Sequence, residues 1–213
     1  MKKAVYASFM VAAFGLASCG GSEETVEEVV EEVTSTEYVL NTDESKLEWK
    51  GSWVVPTEDG GQMEVESHNG TIAISSGEVT VSGEETTGSF TVDMSSIDDQ
   101  DLAEDSTQKA NLEGHLMAPD FFNVAEYANV NVALNGVKDG MAMITVDIMG
   151  NKMEQSVPVT IEVEGDKLMM HGEFPMDFTA LNWRMATPNP EKPEEGNVSP
   201  VANFHLHAVL DKK

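Results

Sequence analysis

This 213-residue sequence is almost free of cysteine, with a single Cys at position 19. A lone thiol forms no intramolecular disulfide and cannot supply a cysteine-based zinc site. The folded part of the chain must therefore draw its stability from an apolar core.

Basic residues are scarce as well. The chain has 12 Lys and Arg against 38 Asp and Glu, which gives a formal net charge of −26 at pH 7. Such a surface repels phosphate backbones and gains nothing from anionic lipid headgroups, so nucleic acid is excluded as a partner. Contact with a membrane is expected only through a covalent anchor or through an apolar site.

Catalytic signatures are missing too. There is no Gly-x-Ser-x-Gly nucleophile elbow, no Gly-rich phosphate loop and no zinc-binding motif. His205 and His207 have a spacing that can chelate a metal, but no third ligand is near them in sequence, and we interpret them as part of an exposed strand face. His115 beside Asp120 is interpreted as a hydrogen-bonded pair at a helix end rather than as acid–base machinery. We expect no enzymatic activity, no cofactor and no metal site, and a metal-dependent enzyme is the alternative.

One loop is crowded with acidic residues but lacks the ligand spacing and the glycine of an EF-hand. We interpret it as a solvated acidic turn, with a bound cation as the alternative. The residues concerned are Asp98, Asp99, Asp101, Glu104 and Asp105.

The first 18 residues have the layout of a secretory signal. They begin with two Lys, continue with an apolar run too short for an ordinary transmembrane helix, and end in small residues. Leu16-Ala17-Ser18-Cys19, at the end of this segment, resembles a bacterial lipobox, in which the cysteine is lipid-modified. We therefore predict lipidation at Cys19 and attachment to the cell envelope, as a periplasmic or outer-membrane lipoprotein. A plain signal peptide with a chance cysteine is the alternative.

Residues 19–37 are predicted to be an acidic flexible linker. They contain seven Glu and no aromatic residue, a composition typical of solvated chain without a core. Four Val at helical spacing leave a transient helix as the alternative.

From residue 38 to residue 213 the pattern is that of β-strands. Short runs alternate apolar and polar residues, and Gly-containing turn signals such as Asn135-Gly136 separate the runs. Consecutive hairpins of this kind predict an all-β domain, either a meander, a barrel or a sandwich.

One stretch interrupts the strand pattern. Residues from about 106 to 117 are predicted to form a short helix, which Asp105 or Ser106 can cap and which Pro119 ends. Phe121 and Phe122 follow directly and make an apolar plug between strands.

The block from residue 88 to residue 122 resembles the YceI family of lipid-binding proteins. GSFTVDMSSIDDQD matches the strand and loop of that family, and LEGHLMAPDFFNVAEY matches its helix and its H-L-x-x-x-D-F-F signature. His68-Asn69-Gly70 is similar to an early H-x-G motif, and MGNKMEQSVPVTIEV to a family hairpin. The resemblance covers about residues 38–211.

This resemblance implies a lipocalin-like antiparallel β-barrel of about eight strands with the short helix packed at one side. It also implies that the barrel binds a long-chain amphiphile of the polyisoprenoid or isoprenoid quinone type, without catalysis. The 13 Met of the chain suit a surface that must fit a mobile apolar guest. A structural or surface lipoprotein with a filled barrel and no lipid is the alternative, and the sequence leaves the oligomeric state open.

We predict that apolar side chains from the strands and the plug line the barrel interior. The predicted lining residues are Trp49, Trp53, Leu112, Leu116, Phe121, Phe122, Ile144, Ile148, Phe174 and Phe204. His68, His115 and Asp120 are predicted to contact the headgroup of the amphiphile.

Overall fold

The computed structural model describes residues 34–213. The predicted signal segment, Cys19 and most of the predicted linker lie outside the described residues. The first strand begins at Ser35, three residues before the predicted domain boundary. Within the described range, no helix is long and apolar enough to cross a bilayer.

The described chain is made of strands with one α-helix and three short 3-10 turns. The helix α1 is Ser106–Met117, and the 3-10 turns are Thr179–Leu181, Arg184–Ala186 and Pro193–Glu195. The strands are β1 (Ser35–Leu40), β2 (Lys46–Pro56), β3 (Gln62–Ser82), β4 (Glu85–Asp99), β5 (Asn129–Lys138), β6 (Met141–Ile148), β7 (Asn151–Pro158), β8 (Thr160–Glu164), β9 (Lys167–Asp177), β10 (Asn197–Val198) and β11 (Val201–Lys212).

The strands pair antiparallel and follow one another around a ring. β1 and β2 act as one interrupted strand, because both pair with β3 on one side and with β11 on the other. β7 and β8 are joined through Val159, with β7 paired to β6 and β8 paired to β9. Among the described strands, β7 and β9 share no hydrogen-bonded ladder, so the ring is not closed there. The predicted antiparallel barrel of about eight strands is confirmed, with this opening.

Alternation along each strand places apolar residues inside the ring. On β5, Val130 and Leu134 are buried while Asn131 and Asn135 face solvent. Burying a Val or Leu side chain contributes about 1.5–3 kcal/mol. The period-two pattern therefore decides which face of each strand turns inward.

The helix α1 has the bounds that the sequence predicts. The Asp105 carboxylate caps it by accepting hydrogen bonds from the Thr107 and Gln108 amides, at 3.1 and 3.0 Å. Lys109 Nζ lies 2.5 Å from Asp98 Oδ1, and the Asp99 amide donates to Glu113 Oε1 over 2.9 Å. Polar contacts thus fix the first turns of α1 against the end of β4.

Gly70 lies where β3 comes very close to the end of β4. A Cβ at this position would overlap the Asp98 carbonyl oxygen and would lie 2.9 Å from the Trp49 ring. We expect Gly70→Ala to lower the free energy of unfolding by about 1–3 kcal/mol, because backbone and ring must shift to make room. Urea unfolding of the full chain measures this change.

Gly114→Ala is a control for which we expect the opposite change in the free energy of unfolding. Gly114 lies inside α1, and a Cβ added at this position would have open space around it, with nothing within 4 Å. We expect Gly114→Ala to raise the free energy of unfolding by about 0.5–1 kcal/mol, because alanine favours the helix. Equal urea midpoints for Gly70→Ala and the unmodified chain would contradict the close approach at Gly70.

Candidate functional site

An apolar cavity of about 220 Å³ lies inside the ring of strands. Strands β2 to β7 and β9 to β11 all contribute to its wall. Its lining side chains are apolar apart from the Ser199 hydroxyl and the indole N–H groups of Trp49 and Trp183. Water in such a space would find few hydrogen-bond partners, so the cavity suits an apolar guest.

Most of the residues predicted to line the interior border this cavity. Their contact with a ligand stays a prediction. The eight that border it are Trp49, Leu116, Phe121, Phe122, Ile144, Ile148, Phe174 and Phe204.

Trp53 lies outside the cavity, contrary to the prediction. The pairing of β2 with β3 is irregular at this point, because Trp53 pairs with Glu66 and Val54 pairs with Glu64, which leaves Val65 of β3 without a partner in the ladder. Val54 is buried but does not border the cavity, and the Trp53 indole N–H donates to the Glu195 carbonyl oxygen over 2.9 Å.

Leu112 also lies outside the cavity. It is half-buried on α1, one turn before Leu116. Within α1, only Leu116 in the last turn is part of the cavity wall. Leu112 and Leu116 lie one turn apart on α1, as predicted, but only Leu116 is near enough to border the cavity.

Four aromatic side chains close one part of the cavity wall, and we call them the aromatic plug: Phe121, Phe122, Phe178 and Trp183. Phe121 stacks on Trp183 with ring centroids 4.3 Å apart, and Phe122 meets the Trp183 ring edge-on at 5.1 Å. Phe178 lies 5.2 Å from Trp183. Aromatic pairs at these distances are worth about 0.5–1.5 kcal/mol beyond their burial.

Two members of this plug were not predicted from the sequence. Phe178 continues the alternation that buries Met176, so the period-two pattern could have found it. Trp183 lies between two 3-10 turns, where no periodicity marks a buried position. Its Nε1–H is buried and has no hydrogen-bond partner among the described residues.

The three residues predicted for the headgroup do not form one group. His115 is half-buried with its ring centroid 5.4 Å from that of Phe121, and Asp120 is exposed. Within the described chain these two residues share no hydrogen bond, so the predicted pair is wrong. His68 instead lies with its Nδ1 2.9 Å from Asp101 Oδ2.

The acidic loop is not uniformly solvated. Asp99 is fully buried, and burial raises the pKa of its carboxyl group, opposed by the Leu102 amide and reinforced by the charge of Asp101. Burial pushes the pKa of Asp101 upward as well, but hydrogen bonds from the Asn69 amide and from His68 outweigh it and leave that pKa lowered. The two neighbouring carboxyl groups therefore differ in acidity.

A second, polar hollow of about 660 Å³ adjoins the apolar cavity. Lys46, Glu48 and Lys50 are among its polar residues, and Lys50 Nζ lies 2.8 Å from Glu64 Oε1. Trp49, Phe204 and Phe174 are paired neighbours on β2, β11 and β9 and border both spaces, so this part of the strand ring, with its aromatic side chains, separates a polar environment from an apolar one.

The histidines of β11 lie on exposed or half-buried positions near this hollow. His205 Nδ1 lies 2.9 Å from Glu48 Oε2, and His207 Nδ1 lies 3.1 Å from the Nδ1 of His171. The two β11 histidines therefore have different partners and do not converge on one point.

Two solved structures share this fold. BcnA from Burkholderia cenocepacia is 16% identical with a TM-score of 0.55, over 80% of this chain and 98% of that one. A polyisoprenoid-binding domain from Saccharophagus degradans is 11% identical with a TM-score of 0.54, over 83% of this chain and 98% of that one. Comparison with curated proteins finds no match.

The sequence profile of the YceI-like domain matches residues 38–209, which is most of the chain. The strands, the helix and the cavity described above all lie almost entirely within that range. This protein therefore belongs to the YceI-like domain family.

Proposed function

We propose that this protein binds a long-chain amphiphile of the polyisoprenoid or isoprenoid quinone type without catalysing a reaction. The observation that carries the proposal is the cavity inside the strand ring, whose lining is apolar at nearly every position. Burial of an apolar chain contributes about 25 cal/mol per Å² of surface removed from water. The polyisoprenoid-binding domain of the S. degradans protein, which has the same fold, supports this class of guest.

The polar hollow supports an amphiphile rather than a pure hydrocarbon. An amphiphile has an apolar chain and a polar head, and here an apolar cavity and a polar hollow share one aromatic wall. Lys46 and Lys50 lie in the hollow, in ion pairs with Glu48 and Glu64 at 2.6 and 2.8 Å.

Trp183 supports a guest that carries oxygen. Leaving a buried donor without a partner costs about 1–3 kcal/mol. Trp183 borders the cavity, and its indole N–H has no partner among the described residues. A carbonyl or hydroxyl oxygen on the guest would accept this hydrogen bond.

Attachment to the cell envelope belongs to the same proposal. It rests on the lipobox-like Leu16-Ala17-Ser18-Cys19 segment, with the lipid on Cys19. Several acyl chains would hold the protein firmly at a membrane, since each buried CH₂ contributes about 0.8 kcal/mol. The binding domain would then lie close to the bilayer from which an amphiphile is drawn.

Native mass spectrometry of the full chain, purified gently in mild detergent, tests the proposal. We expect one additional mass per chain, and we expect organic extraction to release an oxygen-bearing isoprenoid. A chain free of lipid that also takes up none from an envelope lipid extract would overturn the proposal and favour a filled structural lipoprotein. Recovery of a pure hydrocarbon would contradict the role assigned to Trp183.

A further inference from the structure

The open end of the β3–β4 pair brings a histidine and two aspartates together. His68 lies on β3, Asp99 is the last residue of β4, and Asp101 follows in the next turn. One ligand atom from each lies within 4.8 Å of the others. His68 Nδ1 and Asp101 Oδ2 are only 2.9 Å apart.

Asp99 distinguishes this group from an ordinary acidic surface cluster. The residue is fully buried, and its Oδ2 has no hydrogen-bond partner among the described residues. A buried carboxylate oxygen without a partner is costly, and a bound ion is one way in which folded proteins satisfy such an atom. The imidazole of His68 and the carboxylate of Asp101 are close enough to Asp99 to bind the same ion.

Backbone amides hold both carboxylates in place. The Leu102 N–H donates to Asp99 Oδ1 and the Asn69 N–H donates to Asp101 Oδ1, both over 2.7 Å. Outer hydrogen bonds of this kind orient the carboxylates of metal sites and leave other lone pairs free for an ion. The His68 and Asp101 side chains are 25% and 30% exposed, so an ion can reach the group from solvent.

We propose that His68, Asp99 and Asp101 bind a divalent transition-metal ion of the Zn²⁺ type, with water at the remaining positions. One imidazole and two carboxylates suit such ions better than Ca²⁺ or Mg²⁺, which prefer oxygen ligands alone. Ligand atoms about 2.0–2.2 Å from one ion lie roughly 3 Å from each other, which is close to the spacing of His68 and Asp101. The site is separate from the apolar cavity and does not depend on the lipid.

Isothermal titration with ZnCl₂ tests the site. The full chain is stripped with EDTA, dialysed, and titrated in excess Ca²⁺ so that surface carboxylates are already occupied. We expect one Zn²⁺ per chain, and a fall in affinity of more than about tenfold in both His68→Gln and Asp101→Asn, since even outer-shell changes cost that much. Absence of stoichiometric Zn²⁺ binding would overturn the proposal.

His205→Gln is the matched control. His205 Nδ1 lies 2.9 Å from Glu48 Oε2, which is the same separation as in the His68–Asp101 pair. A third ligand is not grouped with it among the described residues. We expect unchanged Zn²⁺ affinity in this variant, and a loss equal to that of His68→Gln would overturn the assignment.

Co²⁺ provides a second readout that needs no substitution. The visible absorption of bound Co²⁺ reports nitrogen and oxygen coordination, and Zn²⁺ should displace it from the unmodified chain. Circular dichroism verifies that each variant is folded before it is titrated. Failure of Co²⁺ to develop ligand-field bands in the folded protein would reject the site even if a variant does not fold.

Discussion

Ala142→Phe should strongly reduce retention of the proposed amphiphile while leaving the protein folded. Ala142 on β6 is 3% exposed and borders the cavity, so a phenyl ring at this position occupies space that the guest requires. Overpacking costs about 1–3 kcal/mol, which is less than the stability of a typical domain. We expect the fraction of chains that carry ligand in native mass spectra to fall by roughly tenfold or more, as 1.4 kcal/mol of lost affinity is enough to do.

Ala133→Phe is the control for this experiment. Ala133 lies on the neighbouring strand β5 and is exposed, so the same ring points away from the cavity. This variant should retain ligand like the unmodified chain. Equal retention in Ala142→Phe and the unmodified chain would show that the guest does not occupy the cavity.

Phe121→Ala should cause the largest loss of stability. Phe121 is 4% exposed and packs against Trp183, Phe122 and His115, so truncation leaves a void in the aromatic plug. Replacing a buried phenylalanine by alanine costs about 3–5 kcal/mol. Urea unfolding of the full chain, followed by tryptophan fluorescence and by circular dichroism, measures the change.

Val163→Ala serves as its control. Val163 lies on β8 and is 54% exposed, so its truncation should change the free energy of unfolding by less than about 0.5 kcal/mol. Phe121→Leu keeps most of the buried volume and should fall between the two. A loss below about 1 kcal/mol in Phe121→Ala would contradict the packing of the plug.

Local patterns in the sequence were sufficient to predict the fold class. Alternation on β5 indicates that Val130 and Leu134 face inward, and the structure buries both. The cap at Asp105 and the break before Pro119 mark the two ends of α1. These features depend on residues close together in the chain, which is why they can be read without tertiary information.

Features that depend on distant residues could not be predicted. The indole N–H of Trp53 donates to the carbonyl oxygen of Glu195, a residue 142 positions further along the chain, and no local pattern marks this contact. Trp183 reaches the plug from irregular chain, and no local pattern marks it. The approach of His68 to Asp99 likewise follows from the long-range register in which Gly70 pairs with Asp99.

The missing ladder between β7 and β9 gives the barrel a seam. Elsewhere, parting two neighbouring strands breaks a row of main-chain hydrogen bonds, but along this line only side chains have to separate. If the protein binds the amphiphile that we propose, this is the line along which the wall can widen while every existing strand pairing stays intact.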